Sequence, residues 1–137
     1  MHGVDHVDLV VSDLEHSLAF YRGLLGPLGY DLTSEIVGEQ GERVVYLHGQ
    51  GVVPVGVRAA MTPGGYDRYR IGLHHLAVRA PSQEVVDDRL RWARAQGVEI
   101  ENDPKEYGSE SRYYAGFFRD PDGIKLEVVH VPARDAD

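Results

Sequence analysis

The sequence predicts an α+β fold made of two tandem βαβββ modules, and three observations carry that prediction. A β-branched stretch leads into a capped amphipathic helix, three strand-length stretches follow it, and the whole order begins again at residue 72.

Module one covers residues 4–60. Val4-Asp5-His6-Val7-Asp8-Leu9-Val10-Val11 has the length and β-branched content of a strand. Ser12-Asp13-Leu14-Glu15 reads as a helix start, with Ser12 as the cap and Glu15, three residues on, able to bond back to it. Leu14, Leu18, Tyr21 and Leu25 recur at helical spacing, and Gly23, Gly26 and Gly29 with Pro27 stop the helix by residue 29. Strands are expected near 30–37, 43–48 and 52–59.

Module two covers residues 72–131. Gly72-Leu73-His74-His75-Leu76-Ala77-Val78-Arg79 is its first strand, Pro81-Ser82 enters a helix with Val86, Leu90 and Ala93 as its buried stripe, and Gly97 closes that helix in the left-handed conformation. Strands follow near 98–101, 112–119 and 124–131, the last two joined by Asp120-Pro121-Asp122-Gly123. From strand histidine to closing glycine is 23 residues in module one (His6 to Gly29) and 22 in module two (His75 to Gly97), so the copies stay in register. Residues 60–71 read as the connection, and the tail after Pro132 as frayed. Both modules fit one domain over 1–137, which at this size buries roughly 68% of the surface its unfolded chain exposes.

Composition narrows the chemistry. The chain has no cysteine, which excludes disulfides, thiolate metal sites and cysteine nucleophiles, so any metal must take nitrogen and oxygen ligands. A net charge of -8 with scattered arginines opposes nucleic-acid binding. Residues 1–30 lack a basic start leading into an apolar run, and no stretch approaches the roughly 18 apolar residues a membrane span needs. The expectation is a soluble cytoplasmic protein with no membrane partner.

Side chains alternate along a strand, so one face of each first strand carries His6, Asp8 and Val10, or His75, Ala77 and Arg79. A turn with Gly123 left-handed sets Phe117 opposite Glu127, which then shares its face with Lys125, Val129, Ala115 and Tyr113. A carboxylate between Leu126 and Val128 in a half-buried strand is costly unless paired or metal-bound. Two imidazoles and a carboxylate would form a facial set with open positions on the ion. Lone strand histidines and glutamates are ordinarily hydrogen-bonded or exposed, and that reading stays open here. His2, His16, His48, His74 and His130 fit it better than they fit ligation, His74 because alternation sends it to the face opposite His75.

His6-Val7-Asp8-Leu9-Val10-Val11-Ser12-Asp13-Leu14, with Phe20-Tyr21 and Leu25-Gly26, resembles the opening of vicinal oxygen chelate proteins, the superfamily of glyoxalase I, fosfomycin-resistance proteins, extradiol dioxygenases and bleomycin-resistance proteins. His75-Leu76-Ala77-Val78 resembles the second-module strand of that superfamily, and Phe118 through Glu127 its closing hairpin. The resemblance runs over residues 4–131 and implies a curved mixed sheet around a central cavity, with one divalent ion (Zn, Mn, Fe(II) or Ni) held by His6, His75 and Glu127. It departs from glyoxalase I, which usually has a fourth ligand in module one: four residues after Gly51, where Glu127 follows Gly123 by four, stands Val55. Fosfomycin-resistance proteins tend to carry Thr and Tyr where this chain has Asp8 and Phe117, and extradiol dioxygenases are commonly about twice this length.

Around that set, Asp8 reads as a proton acceptor, a partner of a ligand, an extra ligand or a solvated carboxylate. Arg79 and Lys125 could hold an anionic group of the substrate or stand as rim charges, and Phe117 and Val55 would line the pocket. Tyr113 rather than Tyr114 faces the site and could donate to an oxyanion, and Tyr66, Tyr69 and Tyr107 fall in loops able to cover a funnel mouth. The leading expectation is a metalloenzyme whose ion polarises two adjacent oxygens of a small substrate, in lyase, isomerase, thiol transferase or dioxygenase chemistry, with Glu127, Tyr113 and Asp8 acting in catalysis. A homodimer is expected as well. The alternatives are a metal-free small-molecule binder of the bleomycin-resistance type and a partner-binding domain with a vestigial site.

Overall fold

A computed structural model describes residues 2–108 and 110–132; the expected frayed tail lies outside the described residues. The chain divides into two compact units, 1–64 and 65–137.

Unit one contains β1 (Val7–Val11), α1 (Leu14–Leu25), a 3-10 turn (Gly26–Leu28), β2 (Leu32–Val37), β3 (Arg43–His48) and β4 (Val55–Ala59). Its sheet runs in the order β1-β4-β3-β2, with β1 parallel to β4 and the other pairs antiparallel. The apolar stripe of α1 packs on β3 and β4, where Leu18, Tyr21, Leu24 and Leu25 join Leu9, Val11, Val45, Leu47, Val55 and Val57 in a core of buried side chains. The cap of α1 is Asp13, one residue later than expected: its carboxylate accepts from the backbone N–H of His16 at 3.1 Å. Glu15 accepts from Arg43 Nη1 at 2.5 Å. Gly29, at φ 103°, closes the 3-10 turn in the left-handed conformation.

Unit two contains β5 (Leu76–Arg79), α2 (Gln83–Ala95), β6 (Ile100–Tyr107), β7 (Tyr113–Arg119) and β8 (Lys125–His130), in the sheet order β5-β8-β7-β6. Again the first and last strands are parallel and the others antiparallel. Ser82 caps α2 by accepting from Val85 N–H at 3.2 Å, and Val86, Leu90 and Ala93 bury against Phe118, Leu126 and Val128. β6 is twice the expected length and runs through Pro104, which an edge strand tolerates because its outward N–H has no ladder partner to lose. Register shifts between Ile100 and Lys105 accommodate it. In the closing hairpin the buried Asp120 accepts at Oδ1 from Asp122 N–H at 2.8 Å and Ile124 N–H at 2.9 Å, and Gly123 sits at φ 88°. That turn fixes the β7–β8 register, and Phe117 pairs with Glu127 as expected.

Gly116 of β7 lies directly under α2: a Cβ there would meet Leu90 Cγ and Cδ2 at 2.6 Å. Leu90 is itself buried and cannot swing clear. Gly116→Ala is therefore expected to destabilise the protein by about 1–3 kcal/mol through overpacking, read as a lower urea midpoint at unchanged slope. A midpoint equal to the wild type would show that α2 lifts off β7 without penalty.

Candidate functional site

Glu127 is the least expected residue in the core. It lies on β8 between Leu126 and Val128, is 2% exposed, and pairs with Ala77 on β5 and Phe117 on β7. A carboxylate so placed needs partners, and both oxygens have one. Oε1 lies 3.2 Å from His75 Nε2, and Oε2 accepts from the hydroxyl of Tyr113, carried to the same face by two steps of strand alternation from Phe117. Tyr107 closes this corner, its ring centroid 6.5 Å from Tyr113 and 5.7 Å from Phe117. Burial, and after it the negative charge of Glu127, push the Tyr107 phenol above its ordinary range. Lys125 Nζ lies 4.9 Å over the Phe117 ring, and Arg79 is exposed at the end of β5.

His75 immediately precedes β5 instead of lying within it, and His74 lies one residue further out. Alternation does not separate residues outside the ladder, and the two Nδ1 atoms stand 2.8 Å apart, within hydrogen-bond distance for a tautomer pair in which one donates and the other accepts. Strand alternation had set His74 apart from His75. Desolvation, then the neighbouring His75, Lys125 and Arg68, lower the His74 pKa. Tyr66 anchors this stretch by donating to the carbonyls of Leu73 and His74 at 2.9 and 2.6 Å.

Unit one repeats the geometry with different chemistry. His6 immediately precedes β1, its Nδ1 2.7 Å from Asp5 Oδ1 and its ring edge-on to Tyr46 at 5.6 Å. Asp8 accepts from the Tyr46 hydroxyl at 2.7 Å and from Arg58 Nη2 at 2.5 Å, so it is a partnered carboxylate. Neither Tyr46 nor Arg58 was singled out in the sequence, although alternation along the strands of unit one puts both on the Asp8 face. The register sets Asp8 beside Gly56 and Gly56 beside Tyr46, as it sets Ala77 beside Glu127 and Glu127 beside Phe117. Gly56, not Val55, thus corresponds to Glu127. Val55 is 2% exposed on the opposite, helix-facing side, where it pairs with Val7, and it does not line the pocket as expected. The shift arises because Gly51 and Gly123 are not equivalent: Tyr46 to Gly56 and Phe117 to Glu127 both span ten residues, but Gly51 stands five before Gly56 and Gly123 four before Glu127. A Cβ on Gly56 would meet Tyr46 Cε1 at 2.6 Å and Asp8 Oδ1 at 2.7 Å, so the glycine makes room for that pair and offers no donor.

On this face a cavity of about 500 Å³ opens, lined by His6, Ser34, Ile36, Tyr46, His48 and Pro54. His48 Nε2 is buried without a hydrogen-bond partner.

Among the described residues no group of three or more His, Asp or Glu side chains is gathered closely enough to hold a metal ion. His75 and Glu127 nonetheless fit two places on one ion, since donors each about 2.1 Å from a metal and at right angles lie about 3.0 Å apart, close to the observed 3.2 Å.

The model of the Glyoxalase/Bleomycin resistance protein/Dioxygenase superfamily matches residues 3–128. The chain is 34% identical over 128 residues to the uncharacterized protein YqjT of Bacillus subtilis strain 168, covering 90% of this chain and 95% of that one. Among solved structures it is similar to a candidate glyoxalase from Bacillus halodurans (30% identity, TM-score 0.71, 93% and 94% of the two chains). A glyoxylase/bleomycin resistance protein/dioxygenase domain from Frankia sp. EAN1pec is similar too (25% identity, TM-score 0.77, 96% and 93%). At 18% identity the fosfomycin resistance protein FosX of Listeria monocytogenes, solved with Mn(II) and sulfate, shares the fold (TM-score 0.66, 99% and 98%).

Burial, and after it the hydrogen bond to Asp8, raise the Tyr46 pKa. A phenol with a raised folded pKa stabilises fully below its unfolded value of about 10 and loses that contribution as pH climbs through the folded one. In NMR titrations of ring-labelled tyrosine, Tyr46 is expected to ionise above a free tyrosine, and Asp8→Asn to narrow the gap without closing it. Equal titration in protein and variant would detach Asp8 from Tyr46.

Proposed function

Because the chain belongs to the Glyoxalase/Bleomycin resistance protein/Dioxygenase superfamily, we propose that it is an enzyme binding one divalent metal ion through His75 and Glu127 and acting on a small molecule with two adjacent oxygens. The observation that carries this reading is Glu127, a carboxylate 2% exposed whose Oε1 meets an imidazole nitrogen at 3.2 Å while a phenol engages Oε2. Members of the superfamily bind divalent metal, as FosX does Mn(II). When bound, the ion supplies Lewis acidity toward the two substrate oxygens.

The chain's own residues do the rest. Tyr113 holds the Glu127 carboxylate in one orientation and leaves Oε1 for ligation or for taking a proton from the substrate. His74 fixes the tautomer of His75: when its Nδ1 accepts from His75 Nδ1, His75 Nε2 presents a lone pair. Asp5 does the same for His6. Asp8, engaged by Tyr46 and Arg58, anchors the pocket wall, while Arg79, exposed two residues beyond Ala77, meets an anionic end of the substrate. Gly56 leaves module one without a fourth ligand, so the hemithioacetal of methylglyoxal and glutathione is not the substrate. No helix among the described residues is long and apolar enough to cross a membrane, and we place the protein in the cytoplasm. There it forms a homodimer: β2 is an edge strand exposed along its whole length, with Leu32, Ile36 and Val37 uncovered.

Elemental analysis of protein purified without an affinity tag is expected to find one divalent ion per 15.2 kDa chain, lost in His75→Ala and Glu127→Ala. Tyr113→Phe should weaken metal binding about 10- to 100-fold, the usual effect of removing a partner of a ligand. Metal-free wild-type protein that still binds small molecules would move the chain to the binding-protein class. Light scattering should give twice the 15.2 kDa chain mass, and a monomer at micromolar concentration would reject the dimer. Methylglyoxal and glutathione should give no turnover with Zn, Ni, Co or Mn.

A further inference from the structure

We propose that the cavity on the sheet of unit one receives an uncharged, hydroxyl-bearing group of the ligand, and that His48 is the residue that selects it. His48 ends β3, pairs with Leu32, and lines the cavity beside Tyr46, two residues earlier on the same strand face. Its Nε2 is buried without a partner, an arrangement that native proteins rarely leave unfilled. A hydroxyl group both donates and accepts, so it satisfies that nitrogen in either tautomer. The Tyr46 hydroxyl, already donating to Asp8, can still accept, and Ser34 adds a third small polar group.

The charge of the group follows from what the walls lack. No lysine or arginine is among the residues lining the cavity, and Arg58, on the same sheet face, is taken up by Asp8 at 2.5 Å with Glu39 and Glu42 at 3.6 and 3.9 Å. The one charged lining side chain is the carboxylate of Asp5, 94% exposed. A phosphonate or phosphate dianion would meet no cation here and would face that acid. Ile36 and Pro54 supply apolar walls for a ring or short alkyl body. The inference rests on the proposed small-molecule role and narrows its substrate class, and it does not require the metal.

The test uses the full-length protein, as purified and after EDTA treatment, with phenol, toluene and phenylphosphonate as probes followed by NMR titration. Phenol and toluene have nearly one shape, so their affinity ratio isolates the hydroxyl. That ratio is expected to fall about tenfold in His48→Leu, the size of one buried hydrogen bond, and to be largely kept in His48→Gln. Toluene binding should persist in His48→Leu, showing that the cavity survives the change, and phenylphosphonate should bind more weakly than phenol. An unchanged ratio in His48→Leu, or phenylphosphonate binding as well as phenol, would overturn the assignment. A hydroxyl preference that vanishes with EDTA but ignores His48 would leave the metal reading standing and this one refuted.

Discussion

Parallel pairing of each module's first strand with its last is the constraint on which the rest depends. In unit two it sets Leu76 beside Leu126 and Ala77 beside Glu127, so the residue before β5 reaches the one acid of β8. Two stretches about 50 residues apart in sequence are thereby brought to the 3.2 Å contact of His75 and Glu127. The helix between β5 and β6 contributes by covering the other side of the sheet, where Leu90 fits over Gly116 and holds the strands at fixed spacing. Unit one obeys the same pairing, Val7 beside Val55 and Asp8 beside Gly56, and places its own histidine just ahead of the ladder.

The same pairing makes Glu127 expensive to bury. Its neighbours along the strand and across the sheet are apolar, and desolvating a carboxylate there costs several kcal/mol unless charge and hydrogen bonds compensate. Tyr113 and His75 provide that compensation in the structure as it stands, and a cation would do so more completely. Asp8 meets the same requirement differently, through a guanidinium and a phenol. One unit therefore compensates its acid with a guanidinium and a phenol, and the other with an imidazole and a phenol.

Features set by local chemistry were legible in the sequence. Ser82, Gly29, Gly97 and the Asp120–Gly123 turn act over a few residues, and the hairpin they predict does place Phe117 opposite Glu127. The two βαβββ orders, readable from helix spacing and glycine breaks, are the orders observed. Errors came where a count of one residue decides. Gly51 sits one place earlier in its hairpin than Gly123 does, which moved the Glu127 counterpart from Val55 to Gly56, and the late start of β5 released His74 from the alternation that had set it aside. The Asp8, Tyr46 and Arg58 cluster joins residues 38 and 50 positions apart, beyond what periodicity can pair, and the unpartnered nitrogen of His48 exists only once the sheet is folded.

Gly56 also bears on how such a chain can change over generations. A glycine codon is one base from a glutamate codon, so a symmetric acid in the first module looks one mutational step away. That step is closed, because any side chain at 56 lands on the ring of Tyr46 and the carboxylate of Asp8. Both would have to shrink first, and shrinking Asp8 strands Arg58 without its close partner. The two modules, alike in topology, are locked by mutual dependence into unlike inheritances, and drift in one cannot be repaired by copying the other.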